Sequence, residues 1–280
     1  AWRVRCAPAQ FCAGGRGGCR AYRVTSAVTT ITARDNPLLV RLRRLQRSGT
    51  AYRKAGELWI EGEHLCSALH ARGHAPLQAV ISESAFALPA LRELAESAPR
   101  VALLSDDLFA SVSELPSPAG IGFVLDRPAA PALRPDAASI VLDRVQDAGN
   151  VGSVLRSASA FGFKQVLALA GTAGLWSPKV LRAGMGAHFA LDLIEGLAAS
   201  DLQALRVPLL AANAHAAQAL HNAVLPFPCA WVFGHEGQGI DRALAAQCRM
   251  TLSIPQPGGE ESLNVAAAAA ICLYASRVAA

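Results

Sequence analysis

Acidic residues are missing from the first 34 positions of this chain, and that absence governs how its charge is read. Asp35 is the first acid, after Arg3, Arg5, Arg16, Arg20, Arg23 and Arg34. The formal charge of +5 over 280 residues therefore rests on those six arginines, and the remainder carries 20 basic against 21 acidic residues. Global charge thus says little about partners, and any electrostatic footprint is local. No apolar run reaches the roughly 18 residues that a membrane span needs without a charge or a turn signal, so a soluble protein is expected. The seven cysteines, an odd number, include no C-x-x-C pair. That excludes a disulfide framework or a zinc knuckle and fits a reducing cytoplasm. Neither G-x-G-x-x-G nor a P-loop lysine is found, which disfavours a dehydrogenase or a phosphate-cradling nucleotide fold.

What the sequence does have is apolar substance, 52% of its residues, enough to bury a core in two ordinary domains or one large one. Residues 1–33 are rich in Gly, Arg and Ala without sustained periodicity and read as a disordered or non-native tail. From Asp35 to about Leu125, short helices alternate with short apolar runs, the mark of a small α/β domain. Residues 126–137 carry prolines at 128, 131 and 135 and read as a linker. Beyond it, βα units resume to the end of the chain. Strands that are apolar on both faces, with helices between them, predict a parallel sheet, with ligands gathering beyond its carboxyl ends.

Polar residues concentrate after three of those predicted strands. Ser139 to Leu142 is followed by Asp143 through Gly152, with Arg156 six residues beyond Asn150, and Asn150 reads as a helix N-cap. Ala230 to Phe233 is followed by Gly234-His235-Glu236-Gly237-Gln238-Gly239, whose glycines allow a ligand to approach the backbone. Thr251 to Ile254 is followed by Pro255-Gln256-Pro257-Gly258-Gly259-Glu260-Glu261-Ser262-Leu263-Asn264-Val265, where Ser262 takes the N-cap position before a helix from Leu263 to Val278. A basic cluster, Arg41, Arg43, Arg44, Arg47, Arg53 and Lys54, lies on a segment whose Leu38, Leu42 and Leu45 recur at helical spacing. It is either a solvated helix face or an RNA phosphate contact.

The three ordered clusters resemble the motifs of the SpoU (TrmH-like) RNA ribose 2′-O-methyltransferases of the SPOUT class. Asn150-Val151-Gly152 with Arg156 is similar to the first, Gly234 to Gly239 to the second, and Ile254-Pro255 with Glu261-Ser262-Leu263-Asn264-Val265 to the third. Ser177-Pro178-Lys179 and Arg182 to Ala187 resemble the family's middle segment. The sequence departs from the family's usual pattern at Ala148, His235 and Gln256. The resemblance covers residues 139–280; residues 35–125 are more loosely similar to an L30e-like substrate-binding domain.

The resemblance implies a SPOUT α/β domain over residues 138–280 with a deep trefoil knot, and S-adenosylmethionine held by backbone around Gly234, Ile254 and Leu263. It implies that Asn150 and Arg156 work at the RNA acceptor while Glu236, Ser262 and Asn264 complete the pocket. A homodimer and no metal are expected. Ribosomal RNA is the expected acceptor, with tRNA, or a non-catalytic RNA-binding role on the same fold, as the alternatives.

Overall fold

The structure, a computed structural model, describes residues 27–258 and 262–278. In chain order the strands and helices are β1 Ala27–Ile31, α1 Pro37–Arg47, α2 Ala51–Ala55, β2 Glu57–Glu61, α3 Glu63–Ala71, β3 Gln78–Ser82, α4 Glu83–Phe86, α5 Pro89–Glu96, β4 Arg100–Leu104, α6 Asp106–Ala110 and β5 Ile121–Asp126. Then follow β6 Ser139–Leu142, α7 Ala148–Ala160, β7 Gln165–Leu169, α8 Pro178–Gly184, β8 Asp192–Leu197, β9 Leu209–Ala212, β10 Gln218–Ala219, β11 Ala230–Phe233, α9 Arg242–Ala245, β12 Met250–Ser253 and α10 Val265–Val278. The chain forms two compact units, and the second takes in Arg47–Ala55 together with Ala130 onward.

The first unit is built on a five-stranded sheet of order β1-β4-β3-β5-β2, parallel from β1 to β3 and antiparallel at β5 and β2. Helix α1 buries Leu38, Leu39, Leu42 and Leu45, the stripe that its leucine spacing predicts. Two details correct the sequence reading. Ala27–Ile31, assigned to the tail, is a strand paired in parallel with β4; its run Val28-Thr29-Thr30-Ile31 is β-branched throughout, which suits a pleated strand. Residues 1–26 lie outside the described part.

The second correction concerns Arg47–Ala55, which belongs with the second unit. There Tyr52 is buried and donates its hydroxyl hydrogen to Glu195 Oε1 at 2.6 Å. The same oxygen accepts from the Leu175 amide at 2.6 Å, and Arg53 Nη2 lies 3.6 Å from it. A side chain at Gly174 would stand 2.5 Å from the Tyr52 hydroxyl. Glycine there is a condition of the contact.

The second unit carries a seven-stranded sheet of order β10-β12-β9-β11-β6-β7-β8, parallel throughout. β6, β7 and β11 are buried at every position, as strands covered on both faces must be. Residues 216–220, whose alanines and leucine suit a helix, instead form the short edge strand β10 and the start of a single 3-10 turn. Pairing of Gln218 and Ala219 with β12 satisfies the backbone of that stretch instead. α7 and α8 pack closely because position 152 is glycine: a Cβ there would meet the Ala183 Cβ at 2.4 Å and the Gly184 nitrogen at 2.7 Å.

His188 lies fully buried after α8, with Nε2 at 2.8 Å from the Leu175 carbonyl, to which it donates, and no partner at Nδ1 among the described residues. Burial pushes its pKa down to about 4, although the carbonyl hydrogen bond opposes the shift. The unfolded chain, with histidine near 6.5, binds a proton over a range where the folded protein does not. Stability is therefore fully present above about pH 6.5 and falls by ~3 kcal/mol as the pH drops toward 4. Denaturant titrations across this range should show that slope, and His188→Gln should flatten it.

Candidate active site

Beyond the carboxyl ends of β9, β11 and β12 lies a cavity of about 680 Å³. Its walls come from Asn213 to His215 after β9, Gly234 to Ile240 after β11, and Ile254, Gln256 and Ser262 to Val265 after β12. The middle loop folds back on itself. His235 and Gly239 exchange backbone hydrogen bonds at 3.1 and 2.8 Å, Gly239 has φ +67°, and His235 Nδ1 accepts from the Gly237 amide at 2.9 Å. A Cβ at Gly234 would stand 2.3 Å from both Gly239 C and Ile240 N. Only glycine permits this close return of the chain.

A relay of side chains joins the loops. Glu236 accepts from the Asn150 side-chain amide at 3.1 Å and from the backbone amides of Asp147 and Gln146 at 3.1 and 3.2 Å. Asn150 Oδ1 in turn accepts from Asn264 Nδ2 at 2.8 Å. Asn264 Oδ1 accepts from the amides of Ala266 and Ala267 at 2.9 and 3.2 Å. Partial burial raises the Glu236 pKa, but the hydrogen bonds from Asn150 and the backbone outweigh it and hold the carboxyl below its ordinary range.

These contacts revise two caps. Asn264, not Ser262, caps α10, which begins at Val265; a side-chain oxygen two or three residues before an open amide is the geometry a cap requires. Likewise α7 begins at Ala148 and its cap is Asp147, which accepts from the Asn150 amide at 2.7 Å. Asn150, on the first turn, is thereby free to bridge Glu236 and Asn264. Each was misread for the same reason: several residues able to cap stand close together, and only the coordinates choose among them.

The remaining predicted site residues fall into distinct places. Gly234, Glu236, Ile254, Ser262, Leu263 and Asn264 line the cavity. Glu260 and Glu261 lie outside the described residues. Arg156 is exposed on α7, does not line the cavity, and makes no hydrogen bond or ion pair with a described residue. Six residues along a helix is a rise of roughly 9 Å with a turn away from the face of Asn150, so the fold of the chain does not bring the two together.

The basic cluster divides between the two units. In the first, Arg41 pairs with Glu57 at 3.1 Å, and Arg43 bonds Ser111 and the Arg34 carbonyl. In the second, Arg53 faces Glu195. Arg44, Arg47 and Lys54 are exposed without such partners among the described residues. Net positive charge along a sequence does not make one surface when two of its six members face carboxylates and a third is held by neutral groups within the fold.

One constellation the sequence did not single out is Asp143 with Arg144. The guanidinium meets the buried Asp143 carboxylate through Nε at 2.9 Å and Nη2 at 3.0 Å, and reaches Gln238 Oε1 at 3.1 Å. Asp143 Oδ2 also accepts from the Asp241 amide at 2.7 Å. Burial raises the Asp143 pKa, yet Arg144 and that amide bring it below the usual range. Arg144 has φ +58°, uncommon for a side chain of its size. An adjacent acid and arginine directly after a buried strand was the available signal.

A parallel sheet, a cavity across its strand ends and a glycine loop fastened by a carboxylate define an α/β ligand-binding unit. The SpoU rRNA methylase family matches residues 137–274. An uncharacterized tRNA/rRNA methyltransferase of Synechocystis is 32% identical over 274 residues, which span 91% of this chain and 96% of the relative. The 23S rRNA (guanosine(2553)-2′-O)-methyltransferase RlmP of Bacillus subtilis is 32% identical, over 79% of this chain and 88% of its own. A crystal structure of an RNA 2′-O ribose methyltransferase superposes with a TM-score of 0.76 at 28% identity, covering 89% of this chain and 98% of that one. The fold is shared with the SpoU methyltransferase AviRb of Streptomyces viridochromogenes, solved in complex with AdoMet, at a TM-score of 0.79 and 23% identity over 87% of this chain and 97% of that one. This chain belongs to the SpoU rRNA methylase family.

The relay has a consequence that separates capping from site geometry. Asn264→Ala removes both functions and should lower stability by about 1 kcal/mol, the usual loss for a helix cap. Asn264→Asp keeps the cap but has no amide to give Asn150. Chemical denaturation should find it within about 0.5 kcal/mol of the parent, while methyl transfer falls; equal activity in Asn264→Asp and the parent would show that the bridge to Asn150 has no part in the site.

Proposed function

We propose that this protein methylates a ribose 2′-hydroxyl of 23S ribosomal RNA, with the cavity beyond β9, β11 and β12 as the donor pocket. The observation that carries this reading is the convergence of the three family motifs on one relay, Glu236 to Asn150 to Asn264, at the cavity wall. RlmP, which aligns with most of the chain, supports ribosomal RNA as the acceptor. S-adenosylmethionine supplies a methyl group on a positively charged sulfur. The residues fit such a ligand: Gly234, Ile254 and Leu263 border the same space, and the glycine at 234 lets the β11 loop fold back to form its wall.

The chain's own groups then have distinct tasks. Backbone around Gly234, Ile254 and Leu263 holds the donor, since main-chain groups reach a nucleoside edge only where side chains leave room. Glu236 is a positioning residue: its oxygens already accept three hydrogen bonds and its carboxyl stays ionised, which makes it a weak proton acceptor. Asn150 transmits that position to Asn264. Ser262, exposed at the cavity rim, faces the acceptor side. Arg156 binds the RNA phosphate and stabilises the 2′-oxygen as it loses its proton; a guanidinium with a pKa above about 12 cannot serve as the base.

Because Arg156 is remote from the cavity of its own protomer, the reading includes a homodimer in which the arginine serves the partner's site. Ala267, Ile271, Tyr274 and Val278 form an exposed stripe along α10, with Tyr274 58% and Val278 68% accessible. Their spacing places them on one helix face, and such apolar exposure suits a helix-packed interface. Arg44, Arg47 and Lys54 remain for RNA phosphates, and the trefoil knot and a cytoplasmic location belong to the same proposal.

Arg156→Ala should abolish methylation of ribosomal RNA while calorimetric binding of S-adenosylmethionine stays unchanged; full turnover in this variant would refute the assignment. Mapping ribose methylation in cells with and without the gene tests the acceptor, and loss of a tRNA site alone would overturn ribosomal RNA. Ile271→Glu should convert a dimer to a monomer in light scattering. Mixing that monomer with Arg156→Ala should recover no activity.

A further inference from the structure

Gln256 stands on the loop after β12, between Ile254 and Ser262, and lines the cavity with them. Its Oε1 is buried and has no hydrogen-bond partner among the described residues. A carboxamide oxygen carries two lone pairs and, once removed from water, is costly to leave unmatched. Native structures seldom tolerate such an atom without a reason. Of the residues that line the cavity with it, Ile254, Leu263 and Val265 are apolar, and Asn264 spends its amide on Asn150 and its oxygen on α10.

We propose that Gln256 is a donor-recognition residue: its Oε1 accepts a hydrogen bond from an N–H of the adenosyl ligand, either the adenine 6-amino group or the α-ammonium of the methionine moiety. The assignment rests on the reading of this cavity as the S-adenosylmethionine pocket. It adds a side-chain contact to a site otherwise described through backbone. The contact is selective because only a ligand that presents a donor at that point relieves the orphaned oxygen, and one lacking it leaves the atom unmatched. It also distinguishes apo from bound protein, since the penalty exists only in the apo state.

Gln256→Met, close in length and without the oxygen, should weaken S-adenosylmethionine about tenfold by isothermal titration calorimetry, the equivalent of ~1.4 kcal/mol. The ligand-free variant should melt no lower than the parent, because an unmatched buried atom has been removed. Gln256→Glu, which keeps an acceptor at the position, should retain affinity. Two analogues distinguish the sources of the N–H: an N6,N6-dimethyladenine derivative and one lacking the α-amine. The analogue without the contacted donor should bind the parent and Gln256→Met equally. Equal affinity of the parent and Gln256→Met for S-adenosylmethionine itself would overturn the proposal, as would a tenfold difference that neither analogue removes. Failure of the parent to bind S-adenosylmethionine would instead reject the donor pocket.

Discussion

The site depends on one carboxylate. Glu236 ties its own loop to the amides of Gln146 and Asp147 and to the Asn150 side chain, across sequence separations of 86 to 90 residues. Asn150 then reaches Asn264, 114 residues on. Three loops that would each move independently at the ends of parallel strands acquire a common register. Loops at such positions carry function because a rigid sheet holds their bases while their tips remain free to differ. Here hydrogen bonds to an ionised acceptor, stronger than neutral ones, hold the tips as well.

Packing behind the relay makes that arrangement possible. Glycine at 152 brings α7 against α8, and glycine at 234 lets the β11 loop return over its own start. Asp143, buried and matched by Arg144 and the Asp241 amide, secures the far side of the same loop. Trp231 on β11 donates to Ser276 at 2.8 Å and anchors α10 against the sheet. Two sides of the cavity, the β11 loop and α10, are consequently held by elements with little room to adjust. A preorganised wall costs less to bind against than one that must first be ordered.

Much of the architecture was legible in the sequence. Helices Pro37–Arg47, Glu63–Ala71 and Pro89–Glu96 follow from apolar spacing and proline or acidic starts, and strands Ser139–Leu142 and Ala230–Phe233 from continuous apolar runs. Errors came where local signals compete. Residues 216–220 had helix formers but lie where the sheet edge offers pairing with β12; Ser262 and Asn264 were both able to cap; the β-branched run at residues 28–31 was overshadowed by the glycine- and arginine-rich stretch before it. Capping and pairing are settled by which partner lies nearby, and sequence distance does not record that.

The sequence by itself determined the elements, the order of the polar clusters and the family they resemble, because periodicity, turn residues and motif spacing are local properties of a chain. Tertiary structure alone decided that Asn150 bridges instead of capping, that Arg47–Ala55 packs with the second unit, that Arg156 stands away from its own cavity, and that the basic cluster is divided. Each of these is fixed by contacts between residues far apart along the chain, where direction, burial and competition for hydrogen bonds choose one partner among several of equal chemical ability.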